Sequence, residues 1–422
     1  MAKENILNSA VLKQIERIKE TDILIGIPSY NNAHTIGHVI RAVNAGLVKY
    51  FPDRRSLIVN SDGGSRDETT AVVNQTEIED PRLIMLSHRP NPIHKIVTPY
   101  HGLPGKGSAF RTIFQIAENL HAKACAVVDS DLRSITPEWI ELLIKPILLE
   151  KFDYVAPFYL RHKYDGTITN SIIYPLTRAL YGKRIRQPIG GDFGFSGELA
   201  SHYLTKDEVW GTDVARYGID IWMTTTAIAE GYRVCQSFLG AKIHDAKDPG
   251  SDLSAMLAQV LGAVFNLAEA HQNIWFSIRG SEPTPIFGFR FEVGLEPINV
   301  NLDRMINAYR QGIADLSSVW KKFLPPDILG NLKKLVGSNG ANFCFPDTLW
   351  VKTVFEFLVA HYKNKMDRGH LIKSMAPLYL GRIASFVIET YNSTAAEVEN
   401  KIELLCLEYE NLKPYLLERW RN

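Results

Sequence analysis

Short apolar runs alternate with helical apolar spacing along the first third of the chain. Runs of strand length predict buried strands over residues 23–28, 56–60, 83–86 and 124–129. Apolar residues that recur every three to four positions predict helices over residues 1–20, 35–48 and 109–120, and from residue 68 onward. This alternation predicts an α/β fold with a doubly wound, Rossmann-like and mostly parallel sheet.

The pattern becomes almost wholly helical after residue 301. Helical spacing extends over residues 302–323, 347–363, 371–391 and 395–418. A chain of 422 residues exceeds the roughly 250–300 residues that usually share one core. We therefore expect an α/β domain over residues 1–298, which includes the N-terminal helix, and a helical domain over residues 299–422. The helical domain could form an oligomerisation surface, and a homodimer is the expected assembly.

Composition and charge exclude some classes of partner. Lys and Arg number 47 and Asp and Glu number 46, a net charge of +1, so nucleic-acid binding is not expected. The four cysteines lie far apart without zinc-ligand spacing, which fits a reducing, cytoplasmic setting. The sequence shows no signal-peptide pattern and no uncharged apolar run of about 18 residues, so no membrane span is expected.

Two carboxylates follow the predicted strand over residues 124–129. Asp129 and Asp131 are two positions apart, so an extended chain points both side chains in one direction. Ligands of open parallel sheets collect at the carboxyl ends of the strands. Mg²⁺ and Mn²⁺ take carboxylate oxygens together with substrate phosphates. The segment is therefore either a divalent-metal site or an acidic turn whose side chains bond their own backbone.

Two further features favour the metal site. Gly105 and Lys106 lie before the predicted helix at 109–120, where glycine permits close approach and lysine can meet a phosphate. His244 ends a predicted strand and would be a third protein ligand beside the two aspartates. Each feature alone has an ordinary explanation, a surface turn for Lys106 and a packed histidine for His244. Together with the aspartates they predict a site for a metal-bound diphosphate.

Four other polar clusters interrupt apolar segments. Residues 28–32 and 60–65 follow the first two predicted strands and would line a nucleotide pocket or form ordinary turns and a helix cap. Asp192 lies in an apolar, glycine-containing segment and would contact sugar hydroxyls or bond backbone amides. Asp220 starts an apolar helix, where it would contact substrate or only favour the helix dipole.

In order and spacing, these motifs resemble those of the GT-A nucleotide-sugar glycosyltransferases. The resemblance spans residues 20–250 and is to the retaining group that comprises mannosylglycerate synthase, glucosylglycerate synthase and glucosyl-3-phosphoglycerate synthase. It rests on segments 27–32, 104–107, 129–132, 166–169, 187–192 and 217–220 and on His244. It implies a GT-A fold, a UDP- or GDP-hexose donor and a divalent cation, Mg²⁺ or Mn²⁺.

The resemblance also implies a role for each matching position. The metal ligands would be Asp131 and His244. The acids near the transferred sugar and the acceptor would be Asp192 and Asp220. The donor would contact Pro28, Tyr30, Asn32, Ser61, Gly105, Lys106, Asp129, Gln187 and Gly190. The acceptor would contact Arg161, Thr167 and Thr169.

One position distinguishes two acceptors. The 3-phosphoglycerate enzymes carry an arginine where this chain has Thr167, and arginine is the natural bidentate partner of a phosphate. The resemblance and this difference favour transfer of glucose or mannose to the 2-hydroxyl of D-glycerate, with retention at the anomeric carbon. Lys163 or Arg178 could instead supply a charge for 3-phosphoglycerate. Retention leaves open a front-face reaction and a double displacement through a carboxylate.

Three other functions share parts of these motifs. An inverting transferase of the same fold tends to need a membrane span or a Gln-x-x-Arg-Trp motif. A sugar-phosphate nucleotidyltransferase has a longer glycine-rich N-terminal loop, which this sequence does not show. A non-catalytic nucleotide-sugar-binding protein would lack the metal-binding residues, whereas Asp129, Asp131 and His244 are present. A metal-dependent glycosyltransferase is therefore the predicted function.

Overall fold

The computed structural model describes residues 6–77, 91, 93–100, 102–243, 254–290, 295, 298–338 and 340–422. The chain forms two compact units. The first comprises Met1–Leu160, Ile185–Asp245 and Thr284–Leu295. The second comprises Arg161–Arg184, Ala246–Pro283 and Glu296–Asn422. The chain therefore passes from one unit to the other several times, whereas the sequence analysis placed a single boundary at residue 298.

Strands in the first unit form one eight-stranded sheet. In chain order the strands of the protein are β1 (Ile23–Ser29), β2 (Ser56–Asp62), β3 (Ile93–Pro99), β4 (Ala124–Val127), β5 (Tyr154–Leu160), β6 (Lys183–Arg184), β7 (Phe193–Ser196), β8 (Val234–Ala241), β9 (Glu282–Pro283) and β10 (Ile286–Phe287). The sheet order is β10-β8-β5-β7-β4-β1-β2-β3, and only β7 runs antiparallel to its neighbours. In the second unit β6 pairs with β9. The predicted α/β fold with a mostly parallel sheet is confirmed, and the strand predicted over 83–86 lies outside the described residues.

Helices pack on both faces of this sheet, which explains why its central strands are continuous apolar runs. Among the described residues, the α-helices of the first unit are α1 (Ser9–Ile18), α2 (Ile36–Tyr50), α3 (Thr69–Gln75), α4 (Lys106–Asn119), α5 (Pro137–Leu148), α7 (Gly197–Tyr203) and α8 (Ile219–Ala229), with α6 (Tyr174–Tyr181) in the second unit. Two short 3-10 helices, Asp207–Gly211 and Asp213–Ala215, precede α8. Ile23, Ile25 and Ile27 of β1 share a core with α2 and α5. Gly26, on the other face, leaves room for α4, since a Cβ atom there would lie 2.6 Å from Ile113 Cδ1.

The helix α4 begins three residues earlier than the sequence predicted. Gly105 is the residue before the helix, and Lys106 is its first residue. The first N–H groups of a helix have no intrahelical partner, and here Gly107 donates to the carbonyl oxygen of Arg216 at 3.1 Å. Lys106 therefore projects from a fixed helical turn and not from a preceding loop.

The remaining α-helices of the described residues all belong to the second unit. They are α9 (Ser254–Ala270), α10 (Gln272–Trp275), α11 (Leu302–Trp320), α12 (Pro326–Lys334), α13 (Asp347–Tyr362), α14 (Arg368–Ser374), α15 (Ala376–Thr390), α16 (Ala395–Asn411) and α17 (Lys413–Arg421). Two helices predicted as single elements are each divided, at Met375 and at Leu412. Pro377 and Pro414 are the second residues of the helices that follow, because a residue without an N–H is tolerated in the first turn.

Among the described residues, one helical stretch, Arg368–Thr390, has the length and apolar composition of a membrane span. Its most apolar window is 72% buried inside the protein, as the core helix of a folded domain would be. Leu378 and Ile383 of α15 belong to that buried surface.

Candidate active site

Asp129 lies just beyond β4 at the carboxyl edge of the sheet, and both of its carboxylate oxygens face lysines. The preceding residue is held to β1, because Val128 N donates to Gly26 O at 3.0 Å. Lys106 Nζ lies 2.7 Å from Asp129 Oδ1, and Lys242 Nζ lies 2.7 Å from Oδ2. Burial alone would raise the pKa of Asp129, but the two ammonium groups outweigh burial and hold the pKa well below its usual range.

Lys242, directly after β8, is a site residue that the sequence analysis missed. Its side chain is 4% exposed. Nζ donates to Asp129 Oδ2 at 2.7 Å, to Gly190 O at 2.8 Å and to Asp192 Oδ2 at 2.7 Å. It also lies 5.2 Å from the centre of the Tyr159 ring. The signal in the sequence is slight, since a lysine after an apolar strand is usually a surface residue.

Asp192 and Gln187, both predicted near the transferred sugar, are buried by the protein itself. Asp192 Oδ1 accepts from the N–H of Asp129 at 2.7 Å, and Oδ2 accepts from Lys242 and from the Tyr159 hydroxyl. The amide of Gln187 exchanges hydrogen bonds with the backbone of Tyr159 at 3.1 and 3.4 Å. Asp192 thus fits the explanation of a buried acid bonded to a backbone amide. Sugar contacts by either residue stay predictions.

Asp220 stands in the first turn of α8 and faces Lys106. Lys106 Nζ lies 3.3 and 3.4 Å from the two carboxylate oxygens of Asp220, and 3.4 Å from Gly191 O. Burial raises the pKa of Asp220. Burial opposes the charged form of Lys106 too, but the carboxylates of Asp129 and Asp220 outweigh it and raise the Lys106 pKa. Lys106 therefore remains a cation.

These five side chains form one group of charges, here named the charge cluster. Its members are Lys106, Asp129, Asp192, Asp220 and Lys242. Sequence reasoning had singled out four of them separately, and the fold brings them together within hydrogen-bonding or ion-pair distance of one another. Three carboxylates face two ammonium groups, so the cluster is net negative when every member is ionised.

Glycines allow the backbone to approach the charge cluster. At Gly191 φ is +88°, and a Cβ atom would lie 2.2 Å from Asp129 Oδ2. A Cβ at Gly105 would lie 2.6 Å from the carbonyl oxygen of Ala215, and one at Gly190 would lie 2.2 Å from a proline of β5. The missing side chains of Gly105 and Gly190 thus permit the protein to pack against itself. Their contacts with a donor stay predictions.

The predicted nucleotide pocket lies at the carboxyl ends of β1 and β2. Pro28 and Ser61 are paired in the strand register, and both are buried. Asn32 Oδ1 accepts from Tyr30 N at 3.0 Å and from Ser130 Oγ at 2.8 Å, so the loop after β1 is bonded to the turn between the two predicted aspartates. The Tyr30 side chain is the most exposed of the four predicted residues. Contacts of all four with a nucleotide stay predictions.

The predicted metal ligands are Asp131 and His244. Asp131 is partly buried at the same edge of the sheet, whereas His244 lies outside the described residues. The segments next to them are joined, because Arg133 N donates to Ile243 O and Ile243 N donates to Ser134 Oγ, both at 2.9 Å. Within the described ranges, no group of three His, Cys, Asp or Glu side chains could hold a metal ion. The Asp131 carboxylate is a hard oxygen donor of the kind that Mg²⁺ and Mn²⁺ take.

The predicted acceptor residues lie in the second unit. Arg161 and Thr169 flank Gly166, whose φ is +64°. A Cβ atom at Gly166 would lie 3.4 Å from Arg161 Nη1 and 4.0 Å from Thr169 Oγ1. Thr167 is buried, and its hydroxyl lies 2.6 Å from the Tyr379 hydroxyl. The structure therefore places both Arg161 and Thr169 next to Gly166 and directs Thr167 toward α15. Contact of all three with an acceptor stays a prediction.

Lys163 and Arg178, the alternative cations for an acceptor phosphate, bond to other groups of the second unit. Lys163 Nζ donates to three backbone carbonyl groups at 2.7, 2.7 and 3.2 Å. Arg178 is fully buried and forms ion pairs with Glu403 at 2.5 Å and with Glu410 at 2.6 Å. Both cations thus already bond to carbonyl or carboxylate oxygens of the protein itself.

Comparisons with known proteins find similarity to glycosyltransferases. The solved structures that are similar include glucosyl-3-phosphoglycerate synthase from Mycobacterium tuberculosis with Mg²⁺ and uridine diphosphate, at 21% identity, over 61% of this chain and 83% of that chain, with a TM-score of 0.44. The same enzyme with Mn²⁺, uridine diphosphate and phosphoglyceric acid is similar at 22% identity, over 61% and 82% of the chains, with a TM-score of 0.43. No curated protein matches the chain. The family model described as glycosyl transferase family 2 matches residues 24–197, which include Lys106, Asp129 and Asp192. Over this segment, less than half of the 422-residue chain, the sequence is thus similar to glycosyl transferase family 2.

Proposed function

We propose that the protein transfers glucose or mannose from a UDP- or GDP-hexose to the 2-hydroxyl of D-glycerate, with retention at the anomeric carbon. The observation that carries this proposal is the ion pairing of Asp129 with two lysines at the carboxyl edge of the sheet. Ligands of open α/β sheets bind at this edge. Three members of the charge cluster lie within the segment that matches the glycosyl transferase family 2 model, and Asp220 and Lys242 follow that segment.

The charges of the site favour a divalent cation together with the donor. The charge cluster is net negative, so a diphosphate alone would add like charge to it. Asp131 and His244 would hold Mg²⁺ or Mn²⁺, and when bound the ion would offset the charge that grows on the departing diphosphate. Lys106 is 16% exposed against 4% for Lys242, so Lys106 is the lysine that would donate to a phosphate oxygen.

The contacts of the carboxylates support a front-face reaction. A double displacement needs a carboxylate that can reach the anomeric carbon. Both oxygens of Asp192 and of Asp129 already accept from protein donors. We infer that the acceptor oxygen bonds to the anomeric carbon as the bond to the diphosphate breaks, and that the leaving phosphate takes the proton of the acceptor hydroxyl. Asp220, beside Lys106, would orient the sugar and the acceptor.

The acceptor side supports glycerate over 3-phosphoglycerate. We name residues 161–169 the acceptor loop. Arg161 would pair with the carboxylate of glycerate, and the Thr169 hydroxyl would donate to it. A phosphorylated acceptor needs further positive charge, whereas Lys163 and Arg178 bond to groups of the second unit itself. Two alternatives remain: transfer to 3-phosphoglycerate, and binding of the donor without transfer.

The experiment that tests this proposal incubates the purified protein with UDP-glucose, GDP-glucose, UDP-mannose or GDP-mannose and with either D-glycerate or 3-phosphoglycerate. Mg²⁺ or Mn²⁺ is added in one series and a chelator in the other. We expect nucleoside diphosphate release and an α-linked glycoside, identified by NMR, with glycerate and metal. Faster transfer to 3-phosphoglycerate would contradict the acceptor assignment. Donor binding with no transfer to either acceptor would favour the non-catalytic alternative.

A pair of variants tests the metal assignment. Asp131→Ala removes one proposed ligand, and we expect the metal concentration for half-maximal activity to rise by about tenfold or more. Glu141→Ala, a change to a partly exposed residue of α5 that pairs with Lys145, is the matched control and should leave the metal dependence unchanged. Full activity of Asp131→Ala at low metal concentration would remove Asp131 from the metal site.

We also propose a cytoplasmic homodimer. All four cysteines are free, and Cys125, Cys235 and Cys406 are buried, which fits a reducing compartment. Light scattering of the purified protein tests the dimer, and a monomer at assay concentration would contradict it. Tagging the protein in its host cell tests the compartment.

A further inference from the structure

The acceptor loop is fastened to the helix α15 at three points, all within the second unit. Lys163 Nζ donates to Thr390 O and Tyr391 O, both at 2.7 Å, and to Ser393 O at 3.2 Å. The Thr167 hydroxyl lies 2.6 Å from the Tyr379 hydroxyl. At the third point, the hydroxyl of the buried Tyr164 donates a hydrogen bond to Val387 O of α15 at 3.4 Å.

The lysine contact stabilises the end of α15. The last carbonyl groups of a helix have no intrahelical partner and carry partial negative charge. The ammonium group of Lys163 supplies three donors, and three carbonyl groups at the end of α15 and just beyond accept from them. The same contact fixes the backbone of the acceptor loop three residues before Gly166.

The hydroxyl pair is enclosed. Thr167 is 4% exposed and Tyr379 is 2% exposed. Removing one hydroxyl would leave the other buried without this partner, which destabilises more than removing both. The Thr167 contact adjoins Gly166, the position flanked by Arg161 and Thr169. A shift of the loop at Thr167 would therefore move the two proposed acceptor contacts.

We propose that Lys163 and Tyr379 are positioning residues for the acceptor: they set the affinity for a small hydroxy-acid through the acceptor loop and touch neither substrate. This inference rests on the proposed function, because it takes Arg161 and Thr169 as the acceptor contacts. It gives the second unit a part in substrate specificity. The sequence analysis had assigned its C-terminal helices only a possible oligomerisation surface.

The test compares Tyr379→Phe and Lys163→Met with a matched control, Tyr309→Phe. Tyr309 is also a buried tyrosine of the second unit, and its hydroxyl donates to Leu332 O at 2.6 Å, with no bond to the acceptor loop. We expect KM for glycerate to rise about tenfold in the first two variants. The donor KM, and the slow hydrolysis of donor without acceptor, should stay unchanged. Tyr309→Phe should lower the melting temperature with no change in the glycerate KM.

A double variant separates positioning from general loss of stability. Thr167→Val combined with Tyr379→Phe removes both hydroxyls, so we expect the melting temperature to recover part of its loss while the glycerate KM stays raised. An unchanged glycerate KM in all these variants would overturn the proposal and leave the contacts as structural only.

Hydrogen exchange distinguishes failure of this inference from failure of the proposed function. We expect faster amide exchange in residues 161–169 for Tyr379→Phe than for Tyr309→Phe, whatever the acceptor is. If the wild-type protein transfers a sugar to neither glycerate nor 3-phosphoglycerate, the proposed function fails. The variants are then compared by their KM for the acceptor that a screen identifies. If the exchange of the loop is equal in the two variants, α15 does not hold the loop and the inference fails.

Discussion

The charge cluster of the first unit and the acceptor loop of the second unit are held by different kinds of interaction. In the cluster, buried or partly buried carboxylates pair with two ammonium groups, one at the start of a helix and one at the end of a strand. In the loop, a lysine and two hydroxyls bond to carbonyl groups and to another hydroxyl of α15. Loss of one partner in the cluster leaves an uncompensated charge, whereas loss of one in the loop leaves a neutral polar group. The two regions should therefore respond to substitution with very different magnitudes.

The largest effect is expected from Lys242→Met, which leaves the buried Asp192 without its ammonium partner and leaves Asp129 paired with Lys106 alone. Breaking a buried ion pair in this way costs about 3–5 kcal/mol of unfolding free energy. We also expect loss of transfer activity, because one of the two ammonium groups that hold Asp129 is gone. Denaturant unfolding and initial rates are the measurements. Lys145→Met, at a lysine whose side chain is 52% exposed, is the control and should change stability by less than about 0.5 kcal/mol. Equal unfolding free energies of Lys242→Met and Lys145→Met would contradict the expectation that the charge cluster is more sensitive to substitution than the acceptor loop.

Lys106→Met should affect catalysis more than stability. Lys242 still neutralises Asp129 in this variant, while the cation proposed for the diphosphate is gone. We expect kcat to fall by about 10²–10³-fold, the usual loss for one electrostatic contact to a transition state. Lys106→Arg keeps the charge and should recover part of the rate. Rates of Lys106→Met within a few-fold of wild type would exclude the phosphate role.

Acid should weaken the second unit through His361. This histidine is 1% exposed, and burial, assisted by Arg368, lowers its pKa from 6.5 to about 4. The unfolded chain then binds more protons than the folded one between these values, so stability falls as pH drops from 6.5 toward 4. The loss is on the order of 3 kcal/mol at pH 4. The test measures the unfolding free energy of the wild type and of His361→Phe at several pH values. The dependence on pH should be flatter in His361→Phe. An identical dependence in both proteins would contradict the prediction.

The smallest effect separates backbone strain from crowding at the charge cluster. Gly191 and Gly231 both have positive φ, at +88° and +80°. A Cβ at Gly231 meets no atom within 4 Å, so Gly231→Ala should cost about 1 kcal/mol and leave kcat unchanged. Gly191→Ala would also press on Asp129 Oδ2, and we expect a further loss of stability together with a lower kcat. Equal kcat values in the two variants would mean that Asp129 can move without cost.

The parts of the fold that the sequence predicted well are those with continuous local signals. The strands β1, β2 and β4 are buried on both faces, and their apolar runs mark them directly. The division at Met375 was indicated only by the helix breaker Pro377, because helical apolar spacing continues across residues 371–391. The antiparallel β7 was not predicted either, since its four residues carry too short a pattern.

The site was predictable where one residue stood out within its own segment. Asp129, Asp192 and Asp220 are acids in apolar surroundings, and each was singled out on that ground. Lys242 was missed because its meaning depends on Asp129, 113 residues earlier in the chain. The hydroxyl pair at Thr167 was missed for the same reason, since Tyr379 follows it by 212 residues. Long-range pairing of this kind leaves no local pattern.

The interleaving of the two units has a consequence for engineering. A fragment that ends at residue 298 contains the whole acceptor loop but lacks Tyr379 and the end of α15. Grafting the loop alone into another enzyme would transfer Arg161 and Thr169 without the contacts that fix their spacing. A chimera designed to exchange acceptor preference therefore has to carry the loop and its helix as a pair of separated segments.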